Sequence, residues 1–221
     1  MKKYQEVLTE AKKYSAQLIV VSKSQDIDKI KSLYDLGCRD FAENRVQDLL
    51  ERKAALPGDI RWHLIGHLQT NKVKSIVTFI HSIQSVDSVD LLKVIDAQAS
   101  KVDRSIDVLL EVKIALEQTK FGFSKEELFA FLESADYKKF HNSRICGLMG
   151  MATFTEDAKI IRSEFKSLKS IFEEVKRFHI FPDEQFVELS IGMSSDYKIA
   201  LEEGSSMLRV GTLVFRICEK I

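Results

Sequence analysis

Short apolar segments alternate with amphipathic segments along most of the chain. The apolar segments are rich in β-branched residues, which is typical of strands buried on both faces of a parallel sheet. Eight segments are therefore predicted as strands: Gln17–Ser22, Arg39–Ala42, Arg61–Ile65, Phe79–Ile83, Ser105–Lys113, Arg144–Met149, Phe186–Ser190 and Met207–Val210.

Helical periodicity marks the segments between these strands. In the clearest one, apolar residues recur from Ile161 to Val175 on one face, and charged residues occupy the other. Gly37 and Gly204 are suited to end two of the helices. The predicted helices are Asp26–Leu36, Arg45–Ala55, Gln69–Ser75, Asp87–Ser100, Lys125–Ala135, Glu156–Phe178 and Ser195–Glu203, preceded by a helical pattern over Met1–Lys13.

Eight βα units in 221 residues predict the fold class. The pattern favours an α/β protein built as a (β/α)₈ TIM barrel with an extra N-terminal helix, in a chain somewhat shorter than the about 250 residues typical of this fold. A doubly wound open sheet is the alternative. Because no linker or low-complexity segment divides the chain, residues 1–221 are predicted to form a single domain.

The overall charge excludes two classes of partner. Lys plus Arg number 33 and balance 33 Asp plus Glu, so no long-range field gathers nucleic acid or an anionic membrane. Even along Lys159–Arg177 the cations are interleaved with glutamates. We therefore expect no nucleic-acid and no membrane partner.

The three cysteines, Cys38, Cys146 and Cys218, lie far apart and outside any CxxC pattern. This spacing favours free thiols in a reducing compartment. The N-terminal segment also lacks the long apolar stretch of a signal peptide or membrane span. A cytoplasmic protein is predicted, and the lack of a second domain favours a monomer.

Lys23 ends the first apolar strand, where α/β proteins place their ligands. An amine that is partly desolvated at such a position can form a Schiff base with an aldehyde. The alternative is a solvated lysine on a βα loop.

Glycine-rich turns follow the last two predicted strands. Barrels often bind phosphate in the loops after strands seven and eight, where glycines let backbone N–H groups approach the oxygens. Gly192 to Ser194 and Gly211-Thr212 fit this role, and Ser195 or Asp196 can open the next helix. Arg209 is expected to face inward, with a salt bridge to Glu43 or Glu188 as a second interpretation.

His63 and His67 have the i, i+4 spacing of a helical metal site. The strand prediction at His63 and the intervening Gly66 argue against that interpretation. Since the remaining histidines form no ligand cluster, no metal site is predicted.

The motifs resemble those of the pyridoxal 5′-phosphate (PLP) homeostasis proteins, whose fold is similar to the N-terminal barrel of alanine racemase. The resemblance spans nearly the whole chain. The motifs that carry it are Val21-Ser22-Lys23, Phe41-Ala42-Glu43-Asn44 with Val46-Gln47, Trp62 to Lys72, Lys120-Phe121-Gly122, Gly147-Leu148-Met149, Gly192 to Asp196, and Arg209-Val210-Gly211-Thr212.

This resemblance implies PLP as the cofactor and assigns roles to eight residues. Lys23 would form the covalent aldimine, and Arg209 would meet the pyridine nitrogen. The phosphate would be held by Ser194, Gly211 and Thr212, while Asn44, His63 and Met193 would lie close to the cofactor.

The function implied is a carrier or buffer in intracellular PLP homeostasis, which affects PLP supply and amino-acid metabolism. An arginine at the pyridine nitrogen keeps that nitrogen unprotonated and makes the ring a weak electron sink. Racemisation also needs a second acid or base opposite the first, which is a tyrosine in the racemases resembled here. The five tyrosines of this chain fall on predicted helices or their edges, where a surface role is expected. No catalytic residue is therefore assigned. The alternatives are a PLP-dependent amino-acid racemase or related enzyme, and a partner-binding protein that delivers PLP to apoenzymes.

Overall fold

The computed structural model describes residues 2–115 and 121–215. Eight parallel strands pair in chain order, and β8 pairs with β1 to close the barrel. The TIM-barrel prediction is thereby confirmed, and the open-sheet alternative is wrong. The strands are β1 Gln17–Val21, β2 Asp40–Glu43, β3 Arg61–Leu64, β4 Ser82–Val86, β5 Ile106–Glu111, β6 Ser143–Met149, β7 Glu188–Ser190 and β8 Met207–Val210.

Helices follow most strands, and an extra helix precedes β1, as predicted. The segment predicted as a helix after β3 is a 3₁₀ helix, Thr70–Ser75, and a second 3₁₀ helix spans Asp136–Lys139. The α-helices are α1 Lys2–Lys13, α2 Ile27–Asp35, α3 Val46–Ala55, α4 Val89–Ser100, α5 Lys125–Glu133, α6 Ala158–Arg177, α7 Tyr197–Glu202 and α8 Thr212–Phe215.

The fourth strand begins three residues later than predicted. Phe79 and Ile80 do not extend β4, because their backbone N–H groups donate to the carbonyl of Ile76. The strand itself carries Ser82 and Gln84, which are both buried. These polar side chains made the true strand less apolar than the turn before it.

Successive side chains of a strand point to opposite faces of the sheet, so each strand contributes to two different cores. In β1, Leu18 and Val20 join the outer core between strands and helices. Ile19 and Val21 pack inside the barrel, in a cluster with Leu109 and other interior residues. The barrel is therefore filled by side chains, and a ligand has access only at its ends.

Helix α6 covers the outer face of the barrel through one apolar stripe. Phe165, Leu168 and Phe172 are buried along it, as its sequence periodicity predicted. Burial of each such side chain contributes about 1.5–3 kcal/mol. Gly37 after α2 and Gly204 after α7 have positive φ angles of 95° and 86°, which confirms their helix-ending role.

Cys38 and Cys146 are free and buried, and burial raises the pKa of their thiols to about 11 and about 12. Cys218 lies outside the described residues. In the described part of the chain, no helix is both long and apolar enough to span a membrane.

Candidate functional site

Lys23 lies just beyond β1, at the end of the barrel where all strands finish, which we call the carboxyl rim. Its side chain is exposed. Neither a hydrogen bond nor an ion pair joins it to another described residue. Ser24 adopts a left-handed backbone with φ 59°, so the chain turns sharply after Lys23. The turn presents a primary amine at the rim without a competing partner.

Ser22 fixes the start of this turn. Its hydroxyl donates to Oε1 of Glu43 at 2.6 Å, and Nε of Arg52 donates to the same oxygen at 2.6 Å. Burial raises the pKa of Glu43, although Ser22 and Arg52 favour its charged form. The other oxygen, Oε2, is buried without a hydrogen-bond partner among the described residues. Ser22, the residue before Lys23, is thus held in place by side chains of β2 and α3.

Three residues after β7 and β8 form a second part of the rim: Ser194, Gly211 and Leu213. We call it the phosphate corner, because the sequence motifs predict a phosphate at this place. The backbone N–H groups of Gly211 and Leu213 both point at Oγ of Ser194, each at 3.3 Å. A Cβ at Gly211 would lie 2.8 Å from the carbonyl oxygen of Val21. Two N–H donors and a hydroxyl therefore converge next to the end of β1, two residues before Lys23.

The loop after β7 is shaped by Gly192 and Asp196. Gly192 has φ 95°, and a Cβ there would lie 2.5 Å from Cβ of Ala200. Asp196 precedes α7, and its carboxylate accepts from the backbone N–H of Met193 at 2.5 Å. The turn is thus held by its own residues, which leaves the Ser194 hydroxyl to face Gly211.

Arg209 points into the barrel and is 3% exposed. Its guanidinium donates to Oγ of Ser190 at 2.6 Å and to the carbonyl oxygen of Gly150 at 2.9 Å. Ser190 in turn donates to Oε1 of Gln84 at 2.7 Å. Burial lowers the pKa of Arg209 to about 10, although Asp196 and other acids favour the cation.

The proposed salt-bridge partners of Arg209 were wrong. Glu43 binds Arg52 on the helix side of β2. Glu188 accepts a hydrogen bond from the hydroxyl of Ser206 at 2.6 Å. The position of Arg209 is instead set by neutral oxygens, so its donors are oriented without a direct ion pair.

Asn44 follows β2 at the rim and is half-buried. A Cβ at Gly66 would lie 2.4 Å from the carbonyl oxygen of Asn44, so the loops after β2 and β3 touch through their backbones. The hydroxyl of Ser85 donates to the carbonyl of Gly66 at 2.6 Å. Only glycine at position 66 permits this approach.

His63 lies inside the barrel rather than beyond a strand end. Its Nδ1 is 2.7 Å from Oγ of Ser82 and its Nε2 is 3.2 Å from Oδ1 of Asp40, the first residues of β4 and β2. The described contacts of His63 therefore face the amino-terminal end of the strands. Its approach to a cofactor at the carboxyl rim stays a prediction.

Sequence reasoning missed two acids at the carboxyl rim. Asp87 follows β4 and accepts from Nδ1 of His67 at 2.8 Å. Glu111 ends β5 and is 8% exposed. The ring of His67 also stacks on Phe121 with centroids 3.8 Å apart. Asp87 was not recognised as a rim residue because the predicted end of β4 was misplaced. Glu111 was not recognised because β5 was predicted to run to Lys113.

The structure brings most of the predicted residues to one end of the barrel. Met193 is half-buried beside the phosphate corner, and Thr212 is exposed at the start of α8. Lys120, from the motif Lys120-Phe121-Gly122, lies outside the described residues. The predicted residues that follow the ends of β1, β2, β7 and β8 are Lys23, Asn44, Met193, Ser194, Gly211 and Thr212.

No group of three or more His, Cys, Asp or Glu side chains within residues 2–115 and 121–215 is arranged to hold a metal ion. The donors at the rim are backbone N–H groups, a hydroxyl, an amine and a guanidinium. Such a set suits an anionic organic ligand with a phosphate and a carbonyl group.

Comparisons with known proteins show the family to which the chain belongs. The family model for the alanine racemase N-terminal domain matches residues 2–218. The chain is 35% identical over 201 residues to the pyridoxal phosphate homeostasis protein of Aquifex aeolicus, covering 90% of this chain and 86% of that one. It is 32% identical over 209 residues to the human protein of the same name, covering 90% and 75%.

Solved structures show the same family and the same fold. PipY of Synechococcus elongatus PCC7942 without PLP superimposes with a TM-score of 0.85 at 35% identity, covering 91% of this chain and 93% of that one. The PLP-bound structure of PipY gives a TM-score of 0.81 at 34% identity with the same coverage. An alanine racemase of Clostridium difficile, at 11% identity and a TM-score of 0.74, shares the fold alone.

The fold and the rim define a (β/α)₈ barrel that carries an exposed amine and converging hydrogen-bond donors at the carboxyl ends of its strands. The chain belongs to the alanine racemase N-terminal domain family, and within it to the family of the pyridoxal phosphate homeostasis proteins.

Proposed function

We propose that this protein binds PLP at the carboxyl rim and takes part in PLP homeostasis as a carrier or buffer of the cofactor. The observation that carries the proposal is the convergence of two backbone N–H groups on Ser194, beside the end of β1 that precedes Lys23. A phosphate oxygen suits such donors. The names of the relatives and the PLP-bound PipY structure support the same ligand.

Lys23 is the residue we propose to hold the cofactor covalently, as a Schiff base. Its side chain is exposed and has no partner among the described residues, so its amine is accessible to an aldehyde. Ser194, Gly211 and Thr212 would hold the phosphate on the neighbouring strand ends. Asn44 and Met193 would contact the cofactor from the rim, with His63 deeper in the barrel.

Arg209 would face the pyridine nitrogen. When bound, PLP supplies an aldehyde that condenses with amines and a ring that withdraws electrons. Arg209 is oriented by Ser190 and Gly150 before any ligand arrives. As a cationic donor it would keep the pyridine nitrogen unprotonated, which disfavours carbanion chemistry. This arrangement supports a carrier rather than a racemase.

The phosphate corner can be tested by comparing PLP with pyridoxal, which lacks the phosphate group. The proposal predicts that PLP saturates the protein at far lower concentration than pyridoxal, as measured by absorbance titration. Ser194→Ala should reduce this preference, because it removes the hydroxyl. Equal affinities of the wild-type protein for the two compounds would contradict the assignment of the phosphate corner.

A carrier and a racemase differ in proton exchange at the α-carbon of amino acids. The PLP-loaded protein is incubated with a set of L-amino acids in deuterated water, and deuterium at the α-carbon is measured by NMR. We expect no incorporation above that produced by free PLP. Incorporation at a useful turnover rate would establish the racemase-like alternative.

Delivery of PLP to partner apoenzymes is a further candidate function. It predicts faster activation of an apoenzyme by the loaded protein than by cofactor that has first dissociated into solution. Equal rates would exclude delivery.

We also propose a single domain over residues 1–221, a monomeric state that sedimentation would show, and a cytoplasmic location, which the free buried thiols support.

A further inference from the structure

Glu111 is a buried carboxyl group without a described partner. It is 8% exposed, and no hydrogen bond or salt bridge joins its side chain to a residue in the described part of the chain. Its oxygens are not among the fully buried atoms that lack a partner, so they reach the surface at the rim. Leu109, two residues earlier in β5, packs in the barrel interior. Because side chains alternate along a strand, Glu111 points to the same interior, at the carboxyl rim.

An unpaired buried carboxyl group is costly unless it is neutral or bound to a ligand. Burial and the charge of Asp87 raise the pKa of Glu111 to about 7, although Arg209 and His67 favour its ionised form. Glu111 can therefore take up and release a proton near neutral pH.

The position of Glu111 in the barrel places it across the rim from Lys23. In the closed ring of eight strands, β5 is four strands from β1 in either direction. Gly122 packs on Glu111, since a Cβ there would lie 3.4 Å from Cγ of Glu111. The backbone of this glycine shields the carboxyl group from one side and contributes to its burial.

The charges around Glu111 favour a cation at this side of the rim. Asp87 follows the adjacent strand, and its side chain is 9% exposed. Arg209 lies deeper in the barrel, where it is bound to Ser190. A small ligand that carries an ammonium group would meet Glu111 on the side of the rim opposite the lysine, next to the Asp87 carboxylate that His67 binds.

We propose that Glu111 binds the ammonium group of a primary amine, such as a free amino acid, and accepts its proton when that amine displaces Lys23 from the cofactor. This inference rests on the proposed function. The bound ammonium group gives one proton to the Glu111 carboxylate, and the neutral amine would then replace Nζ of Lys23 on the cofactor carbon. One proton of the incoming nitrogen would pass to Nζ as the bond from Nζ to that carbon breaks. Glu111 would release its own proton to water at the rim. No oxidant or reductant is required.

The test measures how fast added amines remove the lysine-linked absorbance of the PLP-loaded protein. L-alanine and propylamine are the probes, and the pH is varied from about 5.5 to 9 to span the titration of the acid. The variants are Glu111→Gln, Glu111→Asp and, as a matched control, Glu188→Gln. Glu188 is also a carboxyl group whose pKa is raised by burial, but it begins β7 at the opposite end of the barrel.

Glu111→Gln is expected to slow displacement by at least about tenfold. The plot of displacement rate against pH should also lose its inflection near neutral pH. The rate should then depend on pH only through the ionisation of the added amine. Glu111→Asp should restore part of the rate, and Glu188→Gln should behave as the wild type. A Glu111→Gln protein with an unchanged rate and pH profile would overturn the inference.

A second readout does not depend on the cofactor. In the PLP-free protein with ¹³C-labelled glutamate side chains, the Glu111 carboxyl resonance should titrate near neutral pH and should shift when propylamine is added. A resonance that ignores propylamine would also overturn the inference. If instead no Schiff base forms on Lys23 in the wild type, the proposed function fails, and the two failures are therefore distinguishable.

Discussion

The hydroxyl of Ser22 donates a 2.6 Å hydrogen bond to Oε1 of Glu43, and both side chains are fully buried. This contact joins the end of β1 to the end of β2 immediately before Lys23. Glu43 is itself bound by Arg52 of α3. The turn that carries the proposed reactive lysine is therefore fixed by a helix as well as by two strands.

Replacement of Ser22 by alanine removes this hydrogen bond to a carboxylate. Ser22→Ala is expected to lower the free energy of unfolding by about 1.5–3 kcal/mol, and to weaken PLP binding because the turn loosens. Urea denaturation and absorbance titration with PLP measure the two effects. Ser32→Ala is the control, since the exposed Ser32 hydroxyl donates only to a carbonyl within α2. Equal stability of the two variants would contradict the role of the contact.

Gly66 lies against the backbone of Asn44. Gly66→Ala would place a Cβ 2.4 Å from the Asn44 carbonyl oxygen, so one of the two loops must move. We expect a loss of about 1–3 kcal/mol in the free energy of unfolding, together with weaker PLP binding. Gly58→Ala is the control, because its Cβ would meet only Nζ of Lys53 at 4.0 Å. A Gly66→Ala protein as stable as Gly58→Ala would show that the close approach is unimportant.

Ser190 connects Arg209 to Gln84 inside the barrel. Ser190→Ala leaves a guanidinium donor and an amide oxygen without their partner, which is expected to cost about 1–3 kcal/mol in unfolding free energy. Ser167→Ala, at an exposed position of α6, should change it by no more than about 0.5 kcal/mol. Chemical denaturation of the PLP-free proteins makes the comparison. An unchanged unfolding free energy in Ser190→Ala would mean that Arg209 finds other hydrogen-bond acceptors.

Glu111 predicts a pH-dependent stability. Its pKa is raised from 4.5 to about 7 in the folded protein, mainly by burial. The folded state therefore binds more protons than the unfolded state between these values, and stability falls as the pH rises through this range. At pH 8, Glu111→Gln should be more stable than the wild type by on the order of 2–3 kcal/mol.

The difference should disappear toward pH 4.5, where Glu111 is protonated in the folded protein and about half-protonated in the unfolded chain. Because His67 and Asp87 are present in both proteins, their contributions largely cancel in the comparison. Glu133→Gln, at an exposed position of α5, should show no such trend. A stability difference that is independent of pH would contradict the raised pKa.

The sequence pattern predicted the barrel because short segments rich in apolar residues alternate with periodic helices along most of the chain. It misplaced β4, since Ser82 and Gln84 face the polar interior and the preceding Phe79 and Ile80 belong to a turn. Residues at strand ends, such as Lys23 and Gly211, could be assigned to the rim from their position alone.

The contacts across the barrel were not accessible from the sequence. The link from Arg209 through Ser190 to Gln84 joins three different strands, and no local pattern encodes it. The same holds for Glu111, which is a charged residue in the sequence and becomes a buried one only when the barrel closes. Such pairings depend on register, which the hydrophobic pattern does not fix to a single residue.

Lys23 is the residue proposed to carry the cofactor. The protein is loaded with PLP, reduced with borohydride and digested, and the modified peptide is identified by mass spectrometry. The wild type should carry the reduced adduct on Lys23, Lys23→Ala should carry none at this site and lose the lysine-linked absorbance, and Lys31→Ala, an exposed lysine of α2, should behave as the wild type. An adduct elsewhere with Lys23 unmodified would contradict the account.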